Sequence, residues 1–158
     1  MKNRTILAID QATITSGYSI YKNGKIKKND VIKCSKKELG RRYLQFFKQL
    51  NDVIDKYQVT EIVAEDVFKG EQKGYIRLSE LRGVLLLAAA SKKIPVVFIA
   101  PSTHKENLTG NRYANKQETM QTLKELGYDF KDDNAADSIS IMITYLNNRN
   151  FPVIHSNQ

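Results

Sequence analysis

Apolar and polar positions along the chain change period several times, and each change marks an element. Thr5–Asp10 reads as a β-branched and apolar strand, and residues 17–21 resume the extended pattern. Lys22-Asn23-Gly24-Lys25 is a hairpin turn of the Asn-Gly type, leading into a returning strand over 26–33. Together these predict an antiparallel three-stranded meander. Ser35 is expected to cap the next helix, with Glu38 as its capping-box partner. Along that helix Leu39, Tyr43, Phe46, Phe47, Leu50, Val53, Ile54 and Tyr57 recur at spacings of three and four.

Residues 59–65 form a continuous apolar run, as in a strand buried on both faces. Gly70 and Gly74 are expected to bracket a flexible loop. A long helix follows over 75–93, and its stretch 84–90 is apolar all round, the pattern of a helix buried on several sides. A fifth strand covers 94–100 and Pro101 ends it. A polar loop over 102–115 leads to a helix over 116–126. Asp132 and Asp133 open the last helix, where acids complement the macrodipole, and Ile139, Ile141, Met142, Ile143, Tyr145 and Leu146 face the core. The order β-β-β-α-β-α-β-α-α predicts an RNase H-like α/β fold. Its five-stranded mixed sheet has three antiparallel and two parallel strands flanked by helices, with the first and fourth strands adjacent and parallel. With no repeat and no linker, residues 1–158 read as one domain.

Composition narrows the function. The longest apolar run, 83–90, is far too short to span a bilayer, so no membrane partner is expected. The first residues run straight into a strand with no visible signal peptide, and the lone Cys34 fits a reducing bacterial cytoplasm. A net charge of +8 and 25 lysines and arginines imply a polyanionic partner. His104 and His155 are the only histidines, which leaves zinc few ligands and favours oxygen donors with a hard cation such as magnesium.

Three carboxylates then stand out. Asp10 ends Ile6-Leu7-Ala8-Ile9, Glu65 ends Ile62-Val63-Ala64, and Asp137 follows Asn134-Ala135-Ala136 ahead of an apolar helix. Singly, each reads equally well as a turn residue, a strand end or a solvated acid. Acids at the ends of buried strands are costly without a cation, and the predicted topology brings all three together. Two magnesium ions held by such acids hydrolyse phosphodiesters, with Asp10 as the central, bridging ligand.

The chain resembles the RuvC-type Holliday junction resolvases over nearly its whole length. Leu7-Ala8-Ile9-Asp10 followed by Thr15-Ser16-Gly17-Tyr18 is similar to their first motif. Ala64-Glu65-Asp66-Val67-Phe68 resembles the second acidic motif, Leu81-Arg82-Gly83 the Ala-Arg-Gly of the following helix, and Ala135-Ala136-Asp137-Ser138 the C-terminal Ala-Ala-Asp-Ala. The Lys/Asn-rich composition suggests a phage-borne member. The resemblance implies a homodimer that binds branched DNA, above all four-way junctions, and resolves it by paired symmetric nicks. Two Mg2+ ions would act in each active site, with Mn2+ as a substitute. The dimer contact is placed on the long helix at 85–90.

The resemblance also assigns individual residues. Phe68 matches an aromatic that wedges against bases, and Lys105 and Lys116 match lysines near the scissile phosphate. Arg41, Arg42, Lys73 and Arg77 are phosphate-contact candidates on charge alone, and Arg112 with Tyr113 is expected to approach bases. One position departs. Where the family has a fourth acid, three residues before Asp137, this chain has Asn134, either naturally or as an engineered Asp-to-Asn change. An amide oxygen ligates magnesium without adding charge, so the second metal is expected to bind more weakly, unless Asp133 compensates. Two rival readings remain: a junction- or fork-binding protein with weak or no cleavage, and an RNase H-like nuclease on other branched DNA or RNA.

Overall fold

The fold is taken from a computed structural model that describes residues 3–148 and 150–154; His155 lies outside them. The elements are β1 (Thr5–Asp10), β2 (Thr15–Lys22), β3 (Lys25–Lys33), α1 (Leu39–Tyr57), β4 (Glu61–Glu65), α2 (Gln72–Ser91), β5 (Val96–Ile99), α3 (Pro101–Thr109), α4 (Lys116–Glu125), α5 (Asp133–Asn147) and β6 (Val153–Ile154). They form an α/β structure around one mixed sheet of order β3-β2-β1-β4-β5-β6. The meander is antiparallel, and β1, β4 and β5 run parallel, as the element order implies. The expected hairpin turn is present, with Asn23 at φ 54° and Gly24 at φ 82°.

The sheet has six strands rather than five. β6 is only two residues long and pairs antiparallel with β5, covering an edge that would otherwise be open. A two-residue strand is too short to carry a period. The polar loop expected over 102–115 is also corrected, because its first half is helical. Pro101 takes the first helical position of α3, where its missing N–H costs nothing, and Gly110 closes the helix at φ 77°. Ser35 does not cap α1. The backbone N–H groups of Ser35 and Lys36 donate to the Gln45 side chain, so the chain stays extended and Glu38 becomes the uncapped N-cap. Gly74 lies inside α2 rather than in a loop, because α2 begins at Gln72. Nor is α2 buried all round, since Leu87 is 63% exposed.

Both faces of the sheet are covered. Leu7, Ile9, Ile62 and Ala64 pack under α1 and α2, against Phe46, Leu50, Leu81 and Leu85. Ile6, Ala8, Val63, Val97 and Ile99 pack on the other face against Ile141, Met142 and Tyr145 of α5. Strand side chains alternate between faces, so this division fixes where the next residue on each strand points. None of the described helices is long and apolar enough to cross a membrane.

Candidate active site

Asp10 follows Ala8 by two residues and Glu65 follows Val63 by two, so both carboxylates stand on the α5 face of the sheet. β1 and β4 pair in parallel with Ala8 opposite Val63 and Ile9 opposite Ala64. Extending that register by one sets Asp10 beside Glu65 at the C-terminal ends of adjacent strands.

α5 brings the third acid over this edge. Asp132 caps it by accepting the Ala135 N–H at 2.9 Å. Polar side chains of β2 and β3 hold its first turns against the sheet. The Ser19 hydroxyl donates to the Ser138 carbonyl at 3.1 Å, and the Asn29 amide donates to the Ala135 carbonyl at 2.9 Å. Gly17 leaves room for the backbone of Asn134. Asp137 thereby sits one helical turn beyond Asn134, on the same face.

The charges report their proximity. Burial first, then the Glu65 and Asp137 charges, pushes the Asp10 carboxyl well above the usual carboxylate range. Asp137 is pushed up to about 6 by burial and then by Glu65, while His104, Lys116 and Lys105 pull it back. The Lys116 ammonium is held in its charged form first by its hydrogen bond to Asp133, at 2.5 Å, and also by Asp137 and Asp10. Asp133 is therefore already engaged by a lysine.

Asp10, Glu65, Asp137, Lys105 and Lys116 are thus brought together. As they stand, no three His, Cys, Asp or Glu side chains among the described residues close around one point as a metal cage. The donor set still fits a hard cation, because three oxygen-donor acids repel one another in a buried setting that a divalent charge would relieve.

A groove of about 560 Å³ adjoins the acids through Lys105 and is lined by Phe68, Pro101, Ser102, Lys105, Arg112 and Tyr113. Phe68 is 72% exposed and Tyr113 83% exposed, which suits neither to a core role. The Arg112 guanidinium lies 5.9 Å from the Tyr113 ring. The loop carrying Phe68 is fixed at its root. Arg82 lies over the Phe98 ring at 3.8 Å and donates to Asp66 at 3.2 Å, beside Glu65.

Other expected residues lie apart. Lys73 and Arg77 are on the exposed start of α2 and line neither the groove nor the acid cluster. Arg41 pairs with Glu38 at 3.1 Å, and Arg42 donates to the Lys36 carbonyl at 2.8 Å. Sequence reasoning missed His104 as a site residue. Its Nε2 lies 2.6 Å from Glu65 Oε2 and its Nδ1 2.9 Å from the Ser140 hydroxyl. The only signal was a helical spacing, His104 and Leu108 behind Pro101, inside a segment that otherwise reads as polar loop.

Comparison with known proteins bears on the family and the fold. The model of the family described as Crossover junction endodeoxyribonuclease RuvC matches residues 6–145. A protein of that name from Prochlorococcus marinus (strain MIT 9312) is 29% identical over 155 residues, covering 92% of this chain and 98% of the relative. Its counterpart from Chlamydia caviae is 35% identical over 129 residues, covering 77% of this chain and 76% of the relative. Among solved structures, T. thermophilus RuvC in complex with Holliday junction substrate superposes with a TM-score of 0.78 at 20% identity, covering 90% of this chain and 93% of that one. The likeness to that structure confirms the RNase H-like fold expected from the element order.

Proposed function

The chain belongs to the RuvC family of crossover junction endodeoxyribonucleases, and on that premise we propose that Asp10, Glu65 and Asp137 form the hydrolytic centre of a magnesium-dependent Holliday junction resolvase. The observation that carries the reading is geometric: β1 and β4 end side by side with Asp10 and Glu65, and α5, tied down at Ala135 and Ser138, carries Asp137 over that edge. Magnesium, or manganese in its place, would be held by these acids and would supply Lewis-acid chemistry at the phosphate.

The chain's own residues do the rest. Asp10, which feels the charges of both Glu65 and Asp137, would be the central ligand. Asn134 lies on the Asp137 side and offers an amide oxygen. Lys105 and Lys116 bring positive charge to the same edge, where it counters the scissile phosphate. Phe68 and Tyr113 flank the adjoining groove and stack on bases unpaired at the crossover.

A four-way junction has two equivalent strands to cut, so a two-fold dimer matches its symmetry. The surface for it is the outward stripe of α2. Leu85, Ala88 and Ala89 are buried against the protein's own core, which removes them from the contact. Ile76, Gly83, Leu87 and Ala90 face outward at spacings of seven, four and three, the pattern of a helix–helix seam. Its small residues let two such helices approach closely. With bacterial relatives and a DNA substrate, the proposed place of action is the bacterial cytoplasm.

Asn134 favours a second reading, a junction-binding protein that cuts weakly. An end-labelled four-way junction incubated with and without magnesium separates the two. Paired nicks that need magnesium, and that Asp10→Asn and Glu65→Gln abolish without loss of junction binding, are expected. Binding without nicking in either metal would leave the second reading standing. Replication forks, RNA hybrids and linear duplex in the same assay define the substrate class.

A further inference from the structure

Glu65 is the one acid of the three whose side chain has an imidazole against it. His104 is fully buried, in the first turn of α3, with Nε2 at 2.6 Å from Glu65 Oε2. Its other nitrogen, Nδ1, meets the Ser140 hydroxyl of α5 at 2.9 Å. Ser140 is itself fully buried, and the His104 carbonyl is its alternative acceptor at 3.3 Å. When the hydroxyl donates to Nδ1, the shorter contact, the ring carries its proton on Nε2 and donates it to Glu65. The order Ser140–His104–Glu65 joins α5, α3 and β4, the helix of Asp137 and the strand of Glu65, in one chain of hydrogen bonds.

From this geometry we infer that His104 is a positioning residue for Glu65. It occupies Oε2, fixes the carboxylate plane and leaves Oε1 as the oxygen presented to a divalent cation. Outer partners of metal-binding carboxylates act in this way, setting the orientation of a ligand whose own rotamers are otherwise free. A buried imidazole also explains why Glu65 tolerates its place at the end of an apolar strand, since it accepts a hydrogen bond there whether or not a cation is bound. The inference rests on the reading of Glu65 as a metal ligand.

The test is Mn2+ binding to the full chain without DNA, read by calorimetry or by electron paramagnetic resonance, for His104→Val, His104→Gln and Glu65→Gln. His104→Val removes the donor, and the Mn2+ dissociation constant is expected to rise roughly 10–100-fold. His104→Gln, whose amide N–H reaches to the position of Nε2, is expected to recover most of that loss, which a purely space-filling role would not predict. Ser140→Ala keeps the imidazole and frees its Nδ1. A smaller rise is expected for it, and it decides the question if His104→Val does not fold. Parent-like Mn2+ binding in folded His104→Val and Ser140→Ala, with Glu65→Gln impaired, would overturn the role of His104 alone. Parent-like binding in Glu65→Gln as well would overturn the metal-site reading beneath it.

Discussion

Gly17 lies so close to Asn134 that a β-carbon on it would stand 1.8 Å from the Asn134 carbonyl oxygen. Strand β2 and the start of α5 therefore touch backbone to backbone, and the contact sets the height of Asp137 above the sheet. Gly17→Ala forces the first turn of α5 away. The clash is with backbone, which cannot swing aside as a side chain does, so overpacking is expected to cost about 1–3 kcal/mol or more. Nicking should fall further than stability does, because the displaced turn carries Asn134 and Asp137. Thermal melting beside a junction-nicking assay checks both. An alanine variant with parent activity would show that the helix position is not what sets the site.

Asn134→Asp is expected to raise cleavage. Position 134 is one turn ahead of Asp137, on the face that carries it, and a carboxylate there adds charge where the amide adds none. The half-saturating magnesium concentration should fall by roughly tenfold, since ligand charge is a main determinant of affinity for hard cations. In EDTA the same variant should melt earlier than the parent, because a further acid joins a cluster already in mutual repulsion. Unchanged or lower cleavage would instead credit Asp133 with the compensation. The Lys116 ammonium at 2.5 Å from Asp133 argues against that outcome.

Several features of this site were legible in the sequence, and the reason is local. Asn23-Gly24 specifies its turn by backbone conformation alone. Strand alternation around Ala8 and Val63 determines the face on which Asp10 and Glu65 emerge. His104 was not legible, because its role depends on Glu65 and Ser140, 39 and 36 residues away, meeting at one point. α3 was read as loop because its sequence, Pro-Ser-Thr-His-Lys-Glu-Asn-Leu-Thr, presents a mostly polar surface and buries little besides His104. Ser35 misled for the opposite reason. Its capping pattern is correct locally, but the long reach of Gln45 keeps that stretch extended.

The metal-free protein should lose stability as pH rises. The Asp137 carboxyl lies at about 6 against an ordinary 3.8, so the folded chain retains a proton that the unfolded chain has already released. The sign follows: this group favours the fold least at neutral pH, and the change accrues between about pH 4 and pH 6. For Asp137 it amounts to about 3 kcal/mol, with Asp10 adding in the same direction. Melting in EDTA across pH 4–8 should show that decline, Asp137→Asn should flatten it, and magnesium should restore stability at pH 7. A flat profile in EDTA would mean that the acids do not share one buried site.

Tyr113→Ala should weaken junction binding while sparing linear duplex. The ring is 83% exposed, so its loss leaves the fold intact. Stacking on an unpaired base contributes about 1–3 kcal/mol, which is a change in dissociation constant of roughly 5- to 160-fold. Phe68→Ala is expected to behave alike in binding, and gel-shift titration of both against junction and duplex separates stacking from general charge attraction. Equal loss on both substrates would place Tyr113 among non-specific contacts.

Leu87→Glu should yield a folded monomer. Leu87 is 63% exposed, so a carboxylate there costs the isolated chain little, whereas two of them facing each other across a seam of Ile76, Gly83 and Ala90 would be buried without partners. Sedimentation velocity should show the parent as a dimer and the variant at half its mass, with the melting temperature of the monomer fold retained. The consequence for activity is specific. A monomer retains a complete set of acids, so it should still nick a junction strand, but the two nicks should become uncoupled. On a supercoiled plasmid carrying an extruded cruciform, the dimer is expected to give linear product from paired cuts within one binding event, and the variant to accumulate nicked circles. Linear product at the parent rate from a protein shown to be monomeric would separate paired cutting from the α2 surface and move the symmetry of the reaction elsewhere in the molecule.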